Sequence, residues 1–480
     1  MKKFVTEIKR IAEENRDIFE NLADYLWDNP ELGLEEYKSS EAIIEIMKKN
    51  GFSIKSGISG MKTAFVATKG SGKPVIGISC EYDALPGLSQ VACNPKKEEV
   101  KEKNIGHGCG HNLLGSGAVG AALVVAEYLE RYNLSGTIKL FGSPSEERDG
   151  AKVFLGRDGI YNGVDFAVTW HPAFYNAIWD GGSLANIIVV YTFKGVSSHA
   201  AAAPELGRSA LDSAELMNVG VNYLREHIVS NARVHYSYLD TGGKAPNVVQ
   251  STASLCYFIR SNKIKDAQEI YQRVNNVAKG AALMCGTEVE IDFKIAIADF
   301  VPNMVISKVL YDSIKEFGLP KFTEGDMKLA KNFYDSLSEE AQDSGKHLLI
   351  QQLGNKIANE VISKGLDTEM APFDGKYGLP QVITSDVGDM SHYIPTAQMF
   401  IATAAIGTPL HSWQMCAQAK SKIAKKGLFA AVGGLSTAIL TMIKNPELIE
   451  KANKEFQETV GKYETIVTDE IKPRNPEIEK

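Results

Sequence analysis

Between Gly106 and Asn112 the chain reads GHGCGHN, with a thiol at Cys109 and an imidazole at His111 two residues apart. On a glycine-rich looped backbone both side chains can face one centre, and a thiolate with an imidazole suits a borderline-soft divalent metal. The same residues also read as a tight turn around a buried thiol, with Asn112 capping a helix. A second segment, SPSEERDG at 143–150, sets two carboxylates side by side. If Glu147 ligates metal and Glu146 stays free near an attacking water, one turn supplies both a ligand and a general base. An exposed helix N-terminus would favour acidic residues just as well. TWHP puts His171 at the end of an apolar strand, and GTPLHSW puts His411 in a loop bounded by glycine and proline. Either histidine alone reads as structural. Together the four segments offer one thiolate, three imidazoles and one carboxylate, enough for a two-metal site completed by water.

Loops of this kind need a sheet to hold them. The runs at 62–68, 75–80, 136–144 and 164–170 are short, apolar and rich in β-branched residues, with a small-residue helix at 112–132 between them. Strand, helix, strand alternation predicts an α/β fold: a catalytic domain with a mixed sheet flanked by helices and its chemistry at the strand ends. From residue 187 to 298 the order becomes β, α, β, β, α, β, with helices at about 205–227 and 265–284. That is a compact α+β, ferredoxin-like unit inserted into a discontinuous catalytic domain of residues 1–186 and 299–480. The first fifty residues read as two amphipathic helices around DNPELG. QVITSDV (381–387) and QMFIAT (398–403) read as the last strands, after a polar stretch at 367–380, and the final thirty residues as a charged helix and a loose end.

Composition narrows the function further. A net charge of -7, with no long basic block, makes nucleic acid and anionic membrane poor partners. The N-terminal segment carries charges every few residues where a signal peptide needs an unbroken apolar core, which points to the cytoplasm. Residues 427–443 run without a charge, yet three glycines, a serine and two threonines suit a buried helix better than a membrane span. The six cysteines show no CxxC pair and are expected as free thiols, mostly buried.

GHGCGHN, SPSEE, TWHP, FKGVSSHAAAAP, APNVVQ and GTPLHSW occur in the order and spacing of the metallopeptidase family that holds aminoacylases, carboxypeptidase G type enzymes and hippurate hydrolases. The resemblance spans essentially the whole chain, and CEYDALPGLSQ and SDVGDMS are similar to the family's aminobenzoyl-glutamate hydrolase subgroup. It implies a metal-dependent amidohydrolase acting on an N-acyl amino acid, p-aminobenzoyl-glutamate first, with a broader acyl-amino-acid or dipeptide hydrolase and a non-catalytic metal-binding subunit as alternatives. By the same resemblance Cys109, His111, Glu147, His171 and His411 hold two divalent ions, zinc or manganese. Glu146 matches the base, and Asp83 an acidic residue that orients a ligand. His199 matches a histidine that reaches a partner subunit's site, and Asn247 and Arg260 match groups that hold the substrate carboxylate. More distant relatives carry a ligand histidine where Glu81 stands, which leaves open which ligand bridges the metals. The inserted unit is then a dimerisation or lid domain, in a homodimer or with a related companion subunit. His392, close to SDVGDMS, has no matched role.

Overall fold

The computed structural model of the 480-residue chain describes residues 2–378 and 381–474. Its main sheet has seven strands, in the spatial order Ser53–Ser56, Phe65–Ser71, Gly136–Gly142, Val75–Cys80, Phe166–Ala173, Thr396–Ala402 and Ala177–Ile178. The four strands from Gly136–Gly142 to Thr396–Ala402 are parallel to one another. The flanking strands pair antiparallel, so the sheet is mixed, as expected of this α/β class. Four parallel strands bring their C-terminal ends to one edge, and the loops leaving that edge are where side chains from distant parts of the sequence can meet.

Helices cover the sheet. His111–Arg131 and Lys422–Lys444 pack on it and on each other, and their small residues allow close approach: a Cβ at Gly120 would lie 2.7 Å from Val432 Cγ2. Both helices are long and apolar enough to cross a bilayer, but 94% and 78% of their apolar windows are buried inside the fold. The second sheet is wholly antiparallel, in the order Arg233–Asp240, Thr252–Ser261, Ala185–Lys194, Glu288–Ile297, with helices Ala210–Leu224 and Ile264–Cys285. Strand Thr252–Ser261 buries every second residue, from Ala253 to Ser261, on a single face. Period-two burial of that kind fixes the register.

Several elements depart from the sequence reading. The first expected helix is two, Lys2–Glu14 and Arg16–Asp28. Asn15 breaks it: its side-chain amide donates to Ile11 O and to Glu127 Oε2, competing with helical continuation. The helix expected from 205 begins at Ala210, because Ser209 accepts the Asp212 N–H and caps it there. QVITSDV forms no strand; Asp386 instead leads into helix Val387–Tyr393. Leu379 and Pro380, at the end of the polar stretch, lie outside the described residues. The tail after helix Pro446–Thr459 is packed rather than loose. Val467 is buried, Arg157 Nη1 donates to the carbonyls of Thr468 and Ile471, and Arg474 Nε donates to Asp149 Oδ1. All six cysteines are free, but only Cys80, Cys109 and Cys416 are buried.

Candidate metal centre

The loops at the C-terminal edge of the parallel strands carry the groups singled out by their chemistry. Glu81 and Asp83 follow strand Val75–Cys80, and Glu146 and Glu147 follow Gly136–Gly142. His171 lies within Phe166–Ala173, and His411 stands beyond Thr396–Ala402. Cys109 and His111 meet them where helix His111–Arg131 begins. Gly110 makes that start: it has φ +77°, and a Cβ there would sit 2.7 Å from Pro172 Cγ. Only glycine takes this conformation and contact cheaply.

A strained turn aims the two adjacent glutamates. Ser145 has φ +59°, and its carbonyl accepts from the backbone N–H groups of Asp149 and Gly150, while its own N–H donates to Glu36 Oε1 at 2.8 Å. A non-glycine residue in this region costs free energy and persists where its surroundings hold it. The result is that Glu146 and Glu147 both face inward. His411 is also left-handed, at φ +58°, and its N–H donates to Gly108 O at 2.8 Å, tying the last loop to the first.

The side chains converge in three overlapping sets. Ligand atoms of Cys109, His111 and His171 lie within 4.8 Å of one another, as do those of Cys109, Glu147 and His411, and those of Glu81, His111 and Glu146. Cys109 belongs to two sets and His111 to two. Cys109 Sγ is 3.6 Å from His171 Nε2. His411 Nε2 is 2.9 Å from Glu147 Oε1, and more than half of the His411 side chain is exposed at the mouth.

Hydrogen bonds on the far side of two of the imidazoles leave one nitrogen of each facing the centre. His171 Nδ1 donates to Pro172 O, and Asp83 Oδ1 takes His111 Nδ1 at 2.8 Å. Burial and the charge of His111 hold His171 down to about 4, so its imidazole is neutral and Nε2 offers a lone pair. Burial pulls Glu147 upward, but the adjacent His411 imidazole and the charge of His111 override it and hold the carboxyl down to about 2. Burial, with Glu147 next to it, pushes Glu146 well above the usual carboxylate range. Two adjacent carboxyls with opposite displacements can divide labour between ligand and base.

These residues fit a divalent ion. Buried His111 Nε2 has no hydrogen-bond partner, an expensive state unless a cation takes its lone pair. Burial disfavours a charge on His111, yet Cys109 and Asp83 raise it well above its ordinary range, so the pocket calls for positive charge at Nε2. Burial and the Glu147 charge also push the Cys109 thiol up, and a coordinating cation is what would deprotonate it.

Not every expected residue joins this cluster. His199 and Asn247 are exposed and adjoin each other on the second sheet's unit, where Ala200 N–H donates to Asn247 O. Arg260 Nη1 donates to Thr384 Oγ1 at 2.6 Å. Among the described residues no hydrogen bond or ion pair links these three to Cys109 or its neighbours. His392 Nε2 bonds Asp299 O, and its ring lies tilted against that of Tyr463. Glu81 is a member of the cluster to which the sequence alone gave no role.

Similarity to known proteins points the same way. The chain is 38% identical over 449 residues to a p-aminobenzoyl-glutamate hydrolase subunit of Escherichia coli (strain K12), covering 93% of each protein. It is 27% identical to Xaa-Arg dipeptidase of Mus musculus, over 91% of this chain and 88% of the mouse protein. A Bacillus subtilis dinuclear metal binding peptidase of the M20 family shares the fold, with TM-score 0.58 and 17% identity over 90% of this chain and 99% of its own. The model of peptidase family M20/M25/M40 matches residues 77–469, a span that takes in all the loops meeting at the sheet edge, and the chain belongs to that family.

Proposed function

We propose that the protein is a two-metal amidohydrolase that splits p-aminobenzoyl-glutamate into p-aminobenzoate and glutamate. The observation that carries the hydrolytic reading is the placing of Cys109 in two ligand sets that share one pocket with the carboxyl of Glu146. The substrate rests on the near full-length likeness to the Escherichia coli hydrolase subunit. Cys109, His111, Glu147, His171 and His411 would hold the ions, and a thiolate favours zinc over manganese on softness.

When bound, such ions supply Lewis acidity toward the scissile carbonyl and lower the proton affinity of water. The residues of the chain do the rest. Glu146, raised above an ordinary carboxylate, takes the proton of the attacking water and returns it to the departing amine. His199 is built as a donor: its Nδ1 accepts the N–H groups of Ala201 and Ala202, which leaves the proton of the neutral ring on Nε2, able to bind a developing oxyanion. Arg260, with a fork of N–H groups, and Asn247 would hold the glutamate carboxylate.

His199 and Asn247 lie apart from the metal cluster in one chain, which favours their acting across a subunit interface. We therefore read residues 187–298, between the catalytic segments 1–186 and 299–480, as the dimerisation or lid domain of a homodimer. Pairing with a companion subunit is the other arrangement, since Escherichia coli has a second p-aminobenzoyl-glutamate hydrolase subunit, 30% identical over 48% of this chain. Six free thiols suit a reducing cytoplasm.

The test is hydrolysis by metal-depleted protein resupplied with zinc or manganese, on p-aminobenzoyl-glutamate, other N-acyl glutamates, N-acyl leucine and dipeptides. Metal-dependent release of glutamate, fastest from p-aminobenzoyl-glutamate, is expected. Faster cleavage of the others would replace the substrate, and no cleavage with either metal would overturn the hydrolytic reading.

A further inference from the structure

Lys152, on helix Ala151–Arg157, takes no part in the mechanism above, yet its side chain is wholly buried. Its ammonium lies 2.8 Å from Glu81 Oε1 and 2.5 Å from Asp386 Oδ1. Asp386 holds it at both ends, because Oδ2 also accepts the Lys152 backbone N–H at 3.0 Å. A buried ammonium needs one counter-charge, and here it has two. The surplus negative charge is turned toward the metal pocket: Glu81 Oε2 lies 3.5 Å from His111 Nε2, the buried nitrogen that has no hydrogen-bond partner.

Resting on the two-metal reading, we propose that Glu81 is a further ligand for the divalent ion at His111, and that Lys152, shared with Asp386, is the positioning residue that turns Glu81 toward it. Three elements far apart in sequence build this arm. Glu81 leaves strand Val75–Cys80, Lys152 sits just past the turn that carries Glu146 and Glu147, and Asp386 precedes helix Val387–Tyr393. With Oε1 held by Lys152, the carboxylate presents one oxygen to the ion. A freely rotating glutamate could as well chelate in both orientations or swing away. The ammonium also keeps Glu81 and Asp386 from repelling each other in the same low-dielectric pocket.

The experiment is a cobalt(II) titration of metal-free protein, followed by bound metal and by the thiolate-to-cobalt absorption band that reports Cys109. Wild type is expected to bind two equivalents. Glu81→Gln keeps the shape and an acceptor for Lys152, and is expected to weaken one equivalent by about ten-fold or more while the other equivalent and the thiolate band persist. Asp386→Asn should move the same equivalent in the same direction, as should Lys152→Met if it folds; Asp386→Asn decides the point if it does not. Two equivalents at wild-type affinity in Glu81→Gln, or equal loss of both with the band, would overturn the proposal. A wild type that binds no cobalt would instead overturn the two-metal reading, and the proposal with it.

Discussion

The carboxylate of Asp83 lies 2.8 Å from Nδ1 of His111, and its second oxygen accepts the backbone N–H of Glu147 at 2.9 Å. One buried acid thus fixes the tautomer of an imidazole and the turn that carries a neighbouring carboxylate. Asp83→Asn keeps the size of the side chain and loses its charge, so metal affinity should fall about 10- to 100-fold with secondary structure unchanged. Metal titration beside circular dichroism checks this; unaltered affinity would show that the contact does not support the site.

Gly117 packs on the indole of Trp170, the residue before His171, and a Cβ there would lie 2.7 Å from the ring's Cε2. The ring cannot retreat freely, since Trp170 is fully buried and its Nε1 donates to Leu114 O. Gly117→Ala should therefore destabilise the protein by about 1–3 kcal/mol through overpacking. Denaturant unfolding measures it, and a neutral or stabilising result would show that helix His111–Arg131 can move off the sheet.

Glu36 gives a pH dependence. It is fully buried, with Oε1 accepting from Ser145 N–H and Oε2 from the Thr63 hydroxyl. Burial first, and the charge of Asp83 second, push its carboxyl up to about 8 from an ordinary 4.5. Across that window the unfolded chain has released a proton that the fold retains, so this group's contribution falls as pH rises and levels off above about 8. Glu36→Gln should flatten the slope and gain on wild type at alkaline pH. Parallel slopes for the two proteins in melts across the window would contradict it.

If His199 serves the partner's site, a mixture of inactive His199→Ala and inactive Glu146→Gln proteins should regain activity. Random pairing gives mixed dimers with one intact site each, or about a quarter of wild-type activity. No recovery after subunit exchange, in mixtures shown to contain mixed dimers, would place His199 in its own chain's site or outside the chemistry.

The loops of the candidate metal centre were legible because each joins an unusual local composition to the end of an apolar strand. GHGCGHN needs glycine where Gly110 turns left-handed, and SPSEE pairs two acids at a forced turn. The alternation that marks the second sheet is equally local, visible in TASLCYFIRS as every second residue turning inward. What stayed hidden depends on distance. Glu81 alone reads as an acid after a strand, and its meaning comes from Lys152 and Asp386, far along the chain. Asp386 itself sits in a run of β-branched residues that looks like a strand, whereas its carboxylate is committed to Lys152. The tail looked loose because its anchors, Arg157 and Asp149, lie about three hundred residues earlier.

The central claim is that Glu146 is the base of a metal-dependent amide hydrolysis, and the most direct measurement compares wild type with Glu146→Gln, both loaded with metal. Release of glutamate from p-aminobenzoyl-glutamate should fall by about 10²- to 10⁴-fold, with bound metal the same in both proteins. A variant that keeps its metal and turns over at the wild-type rate would contradict the account.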